Sequence, residues 1–400
     1  NVNLTEEAIE RACLCLSRFG ERLRDIPGAQ VRVVGTNTLR RAGNAREFMR
    51  RAQQALGHHI EIIGGQEEAR LVYLGASHSV RRIDGRMLVV DIGGGSTELI
   101  IGEGYQPVHL ESLFIGCVSL SLKYFSDGVI TRKSMQKAVT AARLHMEPME
   151  KAYRRIGWEM ATGSSGTIRT IAKVVVGQGW SEDGITPDSL ESLRTALIKA
   201  GNTDALDLKG LSKDRTPVFP GGVAALIAVF EGLKIKRMWA SDGALREGLL
   251  YDLIGRTEHD GVREQAVSTL TSRYQVDLKQ VARVEQTADY CFSRLAPCWK
   301  LGRKGYYRQC LVWASRLHEV GLAIAHGKYQ KHGEYIVRNS DMLGFTRNEQ
   351  QIVAVLIRAH RYKFPAAVID ELGETLAEPV TRLCIMLRLA VLLQRGRKSV

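Results

Sequence analysis

The sequence predicts an α/β fold followed by a helical region, and two observations support this prediction. Short apolar segments typical of strands alternate with helical segments along the first 255 residues. Beyond residue 256 the strand pattern ends, and one helical segment follows another. The segment 256–264 between these regions is polar and has no strand pattern. It therefore predicts a domain boundary.

The first elements follow from a helix cap and from apolar periodicity. Thr5 can cap a helix whose first turn carries Glu6 and Glu7. One face of this helix is apolar at helical spacing, through Ile9, Cys13, Leu16, Phe19 and Leu23. The segments that follow predict strands at 31–34 and 60–63, and helices over about 44–56 and 66–74.

The segment 86–99, RMLVVDIGGGSTEL, places an acid at the end of an apolar strand, directly before three glycines. The glycines allow a tight turn that brings backbone N–H groups close to an anion, and the next two residues add hydroxyl groups. This arrangement favours a phosphate held beside Asp91, which could bind a cation or position water. A plain hairpin turn with a return strand at 99–101 is the alternative. The candidate phosphate-binding residues are Gly93, Gly94, Gly95, Ser96 and Thr97.

Two further segments place small residues where a strand leads into a helix. They are 158–172, WEMATGSSGTIRTIA, and 237–250, RMWASDGALREGLL. Helix N-termini at the carboxyl ends of parallel strands converge on one crevice. The three segments together therefore favour a single anion-binding cleft.

Charged residues also follow two of the predicted strands. Glu67 and Glu68 lie in the first turn of the helix after strand 60–63. One of them could face the cleft and orient or deprotonate water, whereas two solvated acids near a helix N-terminus are the alternative. Arg40 and Arg41 follow strand 31–34 and could bind phosphate oxygens, or form a surface pair at a loop.

Composition limits the partners and the compartment. The formal net charge of +13 favours polyanions, but the basic residues are dispersed and aromatic residues are only 6%, so no specific nucleic-acid reader is indicated. Seven cysteines without a CxxC pair indicate reduced thiols and a cytoplasmic location. The longest apolar stretches are too short to span a bilayer, and no secretory signal is evident, which leaves only peripheral membrane association open.

Five motifs together resemble the exopolyphosphatase and guanosine pentaphosphate phosphohydrolase family. They are GTNTLR (35–40), IIGGQEEARL (62–71), VVDIGGGSTEL (89–99), GSSGTI (163–168) and SDGALREGL (241–249). The resemblance implies an actin-like (ribonuclease H-like) fold with two halves around a cleft, followed by a helical domain similar to the HD phosphohydrolases. Residues 1–70 and 71–255 would form the halves, and residues 256–400 the helical domain.

The resemblance also implies a reaction and roles for individual residues. The reaction is magnesium-dependent hydrolysis of the terminal phosphate of a polyphosphate chain, with a monovalent cation such as K⁺ as a further cofactor and a homodimer as the assembly. Glu68 matches the catalytic glutamate that activates water, and Asp91 and Glu98 match acids that place the metal or the water. The phosphate-contacting positions are Arg40, the loop Gly93–Thr97, Ser165, Gly166 and Thr167.

The chain departs from the family pattern in two places. Members of the family open with a hairpin resembling AxDLGSNS that carries the first phosphate loop, and this chain begins after that hairpin. We therefore expect its activity to be impaired. His318 and Glu319 stand where an HD domain has His-Asp, without the rest of the metal constellation. This pattern favours a helical scaffold over a second metal site.

Within the family, two positions favour an exopolyphosphatase that acts on inorganic polyphosphate. Gly95 and the sequence Ser241-Asp242-Gly243 are closer to that branch than to the guanosine pentaphosphate phosphohydrolases, which are the alternative. An actin-like ATP-binding module or sugar kinase is a candidate of another class, but the bulky charged segment 244–247 disfavours an adenosine pocket. A polyphosphate-binding protein without catalysis is a third, disfavoured by Glu68.

Overall fold

The computed structural model describes residues 3–80, 85–258, 261–299, 301 and 304–397. The chain divides into two compact units, one of residues 1–60 and 64–258 and one of residues 61–63 and 259–400. The predicted subdivision at residues 70 and 71, and the assignment of two actin-like halves to these ranges, stay predictions.

Helices and strands alternate through the first unit. Its helices are α1 (Glu6–Leu23), α2 (Asn37–Arg41), α3 (Ala45–Leu56), α4 (Gly65–Ser79), α5 (Cys117–Tyr124), α6 (Arg132–Ile156), α7 (Gly166–Gly177), α8 (Pro187–Ala200), α9 (Phe219–Leu233) and α10 (Leu245–Glu258). The strands are β1 (Val33–Gly35), β2 (Ile60–Ile62), β3 (Arg86–Ile92), β4 (Thr97–Glu103), β5 (Gln106–Leu113), β6 (Met160–Gly163) and β7 (Trp239–Ala240).

The main sheet has the strand order β5-β4-β3-β6-β7, while β1 and β2 form a separate two-stranded sheet. Strand β3 is antiparallel to β4, and their register places Asp91 opposite Glu98. Strands β3, β6 and β7 are parallel. Their carboxyl ends therefore lie at one edge of the sheet, which is where the glycine-rich turn and the first turns of α7 and α10 begin.

The core of this unit packs helices against the sheet. Strands β3 and β4 contribute near-continuous apolar runs, and Tyr153 of α6 donates a hydrogen bond to the Leu99 carbonyl of β4. Within the described ranges, the segment Thr216–Leu233 alone is long and apolar enough by composition to cross a membrane, with 78% of it buried inside the protein. It contains α9, whose residues are almost all part of this core.

Helices α4 and α10 approach each other closely through glycine. A Cβ atom on Gly75 would lie 2.0 Å from the Ala244 carbonyl oxygen, and one on Gly248 would lie 1.8 Å from the Leu71 carbonyl oxygen. A larger residue at either position would force the helices apart. These glycines fix the helix that carries Glu67 and Glu68.

Three local expectations differ from the structure. Strand β1 is Val33–Gly35, two residues beyond the predicted start, because a 3₁₀ turn occupies Gly28–Gln30. Helix α4 continues to Ser79 because its buried small and apolar residues extend past residue 74. The three glycines connect the antiparallel strands β3 and β4, so the hairpin alternative describes the backbone of this turn.

Apart from residues 61–63, which include the end of β2, the described part of the second unit consists of helices and one 3₁₀ turn, Val320–Ala323. The helices are α11 (Gly261–Arg273), α12 (Leu278–Cys298), α13 (Lys304–Leu317), α14 (Tyr329–Asn339), α15 (Arg347–Ala359), α16 (Ala366–Asp370) and α17 (Glu374–Leu393). Their core includes the fully buried Trp313 of α13. His318 and His360 are buried and meet edge to face at 5.6 Å.

Candidate active site

Glu68 is anchored at the start of α4. Its Oε2 accepts a hydrogen bond from Nη1 of Arg40 at 2.8 Å, and both side chains are almost buried. Burial raises the pKa of Glu68, although the charge of Arg40 and hydrogen bonds from Arg40 and Thr36 act against the rise. The structure therefore brings the predicted base and the predicted phosphate ligand together as one pair.

Asp91 and Glu98 face each other across β3 and β4. Ser164 donates to Oδ2 of Asp91 at 3.2 Å, and Ser112 donates to Oε1 of Glu98 at 2.8 Å. Burial and the charge of Glu68 raise the pKa of Asp91 to about 7. Burial and the same charge, with that of Asp91, raise the pKa of Glu98 well above its usual range. The three carboxyl groups thus form one electrostatic cluster that a cation would stabilise.

The oxygen atoms of this cluster are ligands of the type that magnesium prefers, but the protein does not supply enough of them to hold the ion alone. Carboxylate oxygens suit Mg²⁺, which usually binds one or two carboxylates together with water and substrate phosphates. Among the described residues, no three His, Cys, Asp or Glu side chains are placed to hold one metal by themselves. The residues therefore fit a magnesium ion shared with a phosphorylated substrate, with Asp91 and Glu98 as its candidate ligands.

The glycine-rich turn presents unpaired amides. The carbonyls of Gly93 and Gly94 accept hydrogen bonds from the first amides of α5, and the amide of Gly93 donates to the Ser96 carbonyl. Within the described ranges, the amides of Gly94 and Gly95 donate to no acceptor. Such backbone donors are suited to an anion. The Thr97 hydroxyl, by contrast, already donates to the Ile115 carbonyl.

The second of the three predicted anion-binding segments, 158–172, contains the start of α7. Ser165 caps this helix, because its Oγ accepts hydrogen bonds from the amides of Ile168 and Ile92, both at 3.2 Å. Gly166 is the first residue of the helix, and Thr167 is buried. Helix α7 has twelve residues, and the N-terminus of such a helix attracts negative charge.

Sequence reasoning missed Arg215. A Cβ atom on Gly166 would lie 2.6 Å from Nη2 of Arg215, so the guanidinium group lies against the N-terminus of α7. Arg215 is 49 positions beyond Gly166 and belongs to none of the five motifs. Its only signal in the sequence is a basic residue just before the apolar helix α9.

Asn37 was also missed, although it lies inside the motif GTNTLR. A Cβ atom on Gly95 would lie 2.2 Å from Nδ2 of Asn37, so the amide packs directly on the glycine-rich turn. Its Oδ1 is buried and has no hydrogen-bond partner among the described residues. The oxygen could therefore accept a hydrogen bond from water or coordinate a cation.

The third segment contributes less to anion binding than the pattern suggests. Glu247 accepts a hydrogen bond from the Ala244 amide at 2.9 Å, just before the start of α10, and Asp242 pairs with Arg169 at 3.1 Å. A Cβ atom on Gly243 would lie 2.1 Å from the Gly75 carbonyl oxygen. The small residue here serves the contact between α4 and α10.

Two backbone segments are suited to binding an anion: the glycine-rich turn and the N-terminus of α7. With the buried acids and arginines of this site, they are typical of proteins that transfer phosphoryl groups. The model of the Ppx/GppA phosphatase family matches residues 1–257, and the model of Ppx/GppA phosphatase domain III matches residues 262–400. The chain belongs to the Ppx/GppA phosphatase family. It is therefore a phosphatase of the family whose motifs it resembles.

Solved structures, together with the match to domain III, confirm the predicted actin-like fold with a helical domain after it. An exopolyphosphatase-like protein is 27% identical, with a TM-score of 0.57 over 64% of this chain and 87% of that protein. A Ppx/GppA family member from Aquifex aeolicus is 25% identical, with a TM-score of 0.53 over 64% and 85%. An exopolyphosphatase from Cytophaga hutchinsonii is 25% identical, with a TM-score of 0.56 over 63% and 84%.

Curated relatives correct the predicted substrate. Proteins from Aeromonas hydrophila and Photobacterium profundum are 40% and 39% identical over 390 and 395 residues, which is 98% of this chain and 78% of each relative. Both are named guanosine-5′-triphosphate,3′-diphosphate pyrophosphatase. The prediction that the main activity is that of an exopolyphosphatase is therefore wrong.

The structure explains why two residues misled the choice of branch. Gly95 is required by the close approach of Asn37, and Gly243 by the close approach of Gly75. Both glycines report local packing, so neither identifies the substrate.

Proposed function

We propose that the protein hydrolyses the terminal 5′-phosphate of guanosine pentaphosphate, releasing inorganic phosphate and guanosine tetraphosphate. The observation that carries the proposal is the similarity, across 98% of the chain, to relatives whose names specify this substrate. Glu68, Arg40, the glycine-rich turn and the N-terminus of α7 together suit phosphoryl transfer to water. This reaction depends on positioning the reactants and stabilising charge.

The chain's own residues supply the steps that such a reaction needs. The amides of Gly94 and Gly95, the N-terminus of α7 and Arg215 bind phosphate oxygens. Glu68 orients the attacking water and accepts its proton, for which a pKa raised by burial is favourable. Arg40 holds Glu68 in place through the 2.8 Å contact.

Magnesium is part of the proposal. Asp91 and Glu98 would hold the ion, with the Asn37 carbonyl oxygen near the same turn as a further oxygen donor. Bound there, Mg²⁺ would neutralise charge on the phosphate oxygens. A monovalent cation such as K⁺, a homodimeric assembly and a cytoplasmic location stay predictions. All seven cysteines are free in the structure.

The test compares substrates directly. Phosphate release by the full-length protein with Mg²⁺ is measured with guanosine pentaphosphate, long-chain polyphosphate and ATP. We expect kcat/KM for guanosine pentaphosphate to exceed that for each competitor by about tenfold or more, a difference of about 1.4 kcal/mol. A higher kcat/KM for polyphosphate or ATP would overturn the proposal.

A further inference from the structure

The helical unit contains a cavity of about 900 Å³ that the proposed reaction does not use. Residues of α12, α14 and α17 line it, together with the segment 360–364 that follows α15. Its volume lies in the range of sites for small organic molecules. Four guanidinium groups and one carboxylate line the cavity: Arg361, Arg388, Arg395, Arg397 and Glu319.

Three of these arginines form no ion pair with the acids that the structure describes. Arg397 pairs with Asp277 at 2.8 Å and with Glu319 at 2.6 Å. In the described part of the chain, no carboxylate oxygen lies within 4 Å of the charged nitrogens of Arg361, Arg388 or Arg395. Glu319 interacts electrostatically with Arg361 but pairs with Arg397, so the lining keeps an excess of positive charge. This excess favours an anionic ligand with several charged groups.

The lowered pKa of the buried His360 is consistent with the excess of positive charge around the cavity. Burial and the charges of His318, Arg361 and Arg388 together lower the pKa of His360 to about 3. Glu319 and Asp277 are the nearby acids, and Arg283 adds another positive charge beside them. In the cavity lining as a whole, four arginines therefore stand against one carboxylate, that of Glu319.

Aromatic rings accompany the arginines. Arg361 lies over the buried ring of Tyr329 at 4.8 Å and near that of Tyr362 at 5.4 Å. Tyr362 is 60% exposed and has a φ of 63°, a left-handed conformation that is strained for a bulky residue. Arg388 donates to the Tyr362 carbonyl at 2.7 Å and to the Ala359 carbonyl at 2.9 Å. The structure thus holds an exposed aromatic ring at the cavity against its backbone preference.

Helix α17 supplies an apolar wall. Ile385, Leu389 and Leu392 line the cavity at spacings of four and three residues, which places them on one face of the helix. Their exposed fractions are 39%, 41% and 62%, so this face is open to a ligand. The cavity therefore combines a surface for a flat apolar group with a surface for anions.

We propose that this cavity is a second ligand site that takes a phosphorylated nucleoside. The base packs between Tyr362 and the apolar face of α17, and the phosphates bind Arg361, Arg388 and Arg395. Stacking on an aromatic ring and charge-assisted hydrogen bonds from arginine are the usual means of binding these two parts of a nucleotide. The site goes beyond the proposed hydrolysis, because it lies in the unit that does not contain Glu68.

The test uses GDP as the probe and the full-length protein. Hydrogen exchange with and without GDP should show protection of the segments 359–364 and 385–397. The variant R361Q/R395Q should lose this protection, and GDP binding at this site should weaken about ten- to hundredfold. Arg395 is exposed, and Arg361 is only partly buried, where it contacts the rings of Tyr329 and Tyr362 and hydrogen-bonds Tyr329. Glutamine at position 361 can still donate a hydrogen bond, so the fold should survive, and the thermal midpoint checks that it does.

A matched control is R294Q. Arg294 also lies over an exposed tyrosine, Tyr290, at 5.5 Å in the same unit, but it does not line the cavity. It should leave GDP protection unchanged. Equal loss in R294Q and in R361Q/R395Q would overturn the proposal, because a general loss of positive charge would then explain the effect.

The variant Y362A and the probe tripolyphosphate separate a nucleotide from a bare anion. Y362A should weaken GDP about tenfold and leave tripolyphosphate unaffected. If tripolyphosphate alone protects these segments, or if GDP protects only the segments 36–41, 64–70, 91–98 and 163–167, the proposal fails. Turnover of guanosine pentaphosphate is measured in the same variants, and normal turnover with lost protection separates this inference from the proposed function.

Discussion

At the scale of single residues, Glu68 has the two properties that a general base requires. It is held by Arg40 at 2.8 Å, and burial raises its pKa. The sequence could place it only in the first turn of a helix, beside an equally placed Glu67. The structure separates the two, because Glu67 pairs with Arg70 on both carboxylate oxygens.

We predict that Glu68→Gln lowers kcat by about 10²–10⁴-fold and changes substrate affinity little. Glutamine keeps the size and the contact to Arg40 but accepts no proton. Steady-state phosphate release gives kcat, and binding of a non-hydrolysable analogue gives affinity. The matched control is Glu103→Gln, an acid with a 65% exposed side chain on β4, which should behave as wild type. Equal turnover in the two variants would remove Glu68 from the mechanism.

Gly95 is determined by its neighbour. We predict that Gly95→Ala lowers the free energy of unfolding by about 1–3 kcal/mol, because the new Cβ would meet Asn37 at 2.2 Å. The double variant Gly95→Ala/Asn37→Ala should recover most of this loss, since Asn37 supplies every atom near that Cβ. Gly28→Ala is the control, because open space surrounds its Cβ position. Urea unfolding measures all three, and an unrescued double variant would show that another contact is responsible.

At the scale of elements, a buried ion network joins α4 to α10. Arg70 of α4 binds Glu67 at 2.8 Å and Asp252 of α10 at 2.5 Å. Arg32, which precedes β1, also pairs with Asp252. All four side chains are less than 10% exposed. The network therefore fixes the helix whose first turn carries Glu68.

We predict that Asp252→Asn destabilises the first unit by about 3 kcal/mol, because two buried guanidinium groups lose their shared acid. It should also lower kcat while leaving KM nearly unchanged, since Asp252 acts on Glu68 through α4. The control is Asp242→Asn, whose carboxylate is 90% exposed and should contribute less than about 1 kcal/mol. Urea unfolding and phosphate release test both variants, and unchanged stability in Asp252→Asn would contradict this role of the network.

At the scale of the whole molecule, two buried histidines link stability to pH. Burial lowers the pKa of His318 to about 4 and that of His360 to about 3, below the ordinary value near 6.5. The unfolded chain therefore binds more protons than the folded chain between about pH 4 and pH 6.5. Stability contributed by these groups is complete above this window and is lost as the pH falls through it.

We predict that the free energy of unfolding falls by up to about 1.4 kcal/mol per pH unit for each histidine below pH 6.5. His318→Asn should reduce this slope by the contribution of one histidine, because asparagine does not titrate. Asparagine can still donate a hydrogen bond to the Ser315 carbonyl that Nδ1 contacts. His145→Asn, at an exposed position, should leave the slope unchanged. Thermal unfolding between pH 4.5 and 7.5 measures the slopes, and equal slopes in all three proteins would contradict the prediction.

The α/β alternation, the helical region and the family could be predicted from the sequence, because strands, helix starts and five motifs are local patterns along the chain. The sequence also identified Glu68, Asp91 and Glu98 as candidates. The contacts of Arg215 and Asn37 were decided only by the tertiary structure, since each meets a glycine far away in the sequence. The same holds for Gly95 and Gly243, whose small size serves packing between segments. A residue's type shows which chemistry it offers, but only its neighbours in the fold decide whether that chemistry serves packing or a substrate.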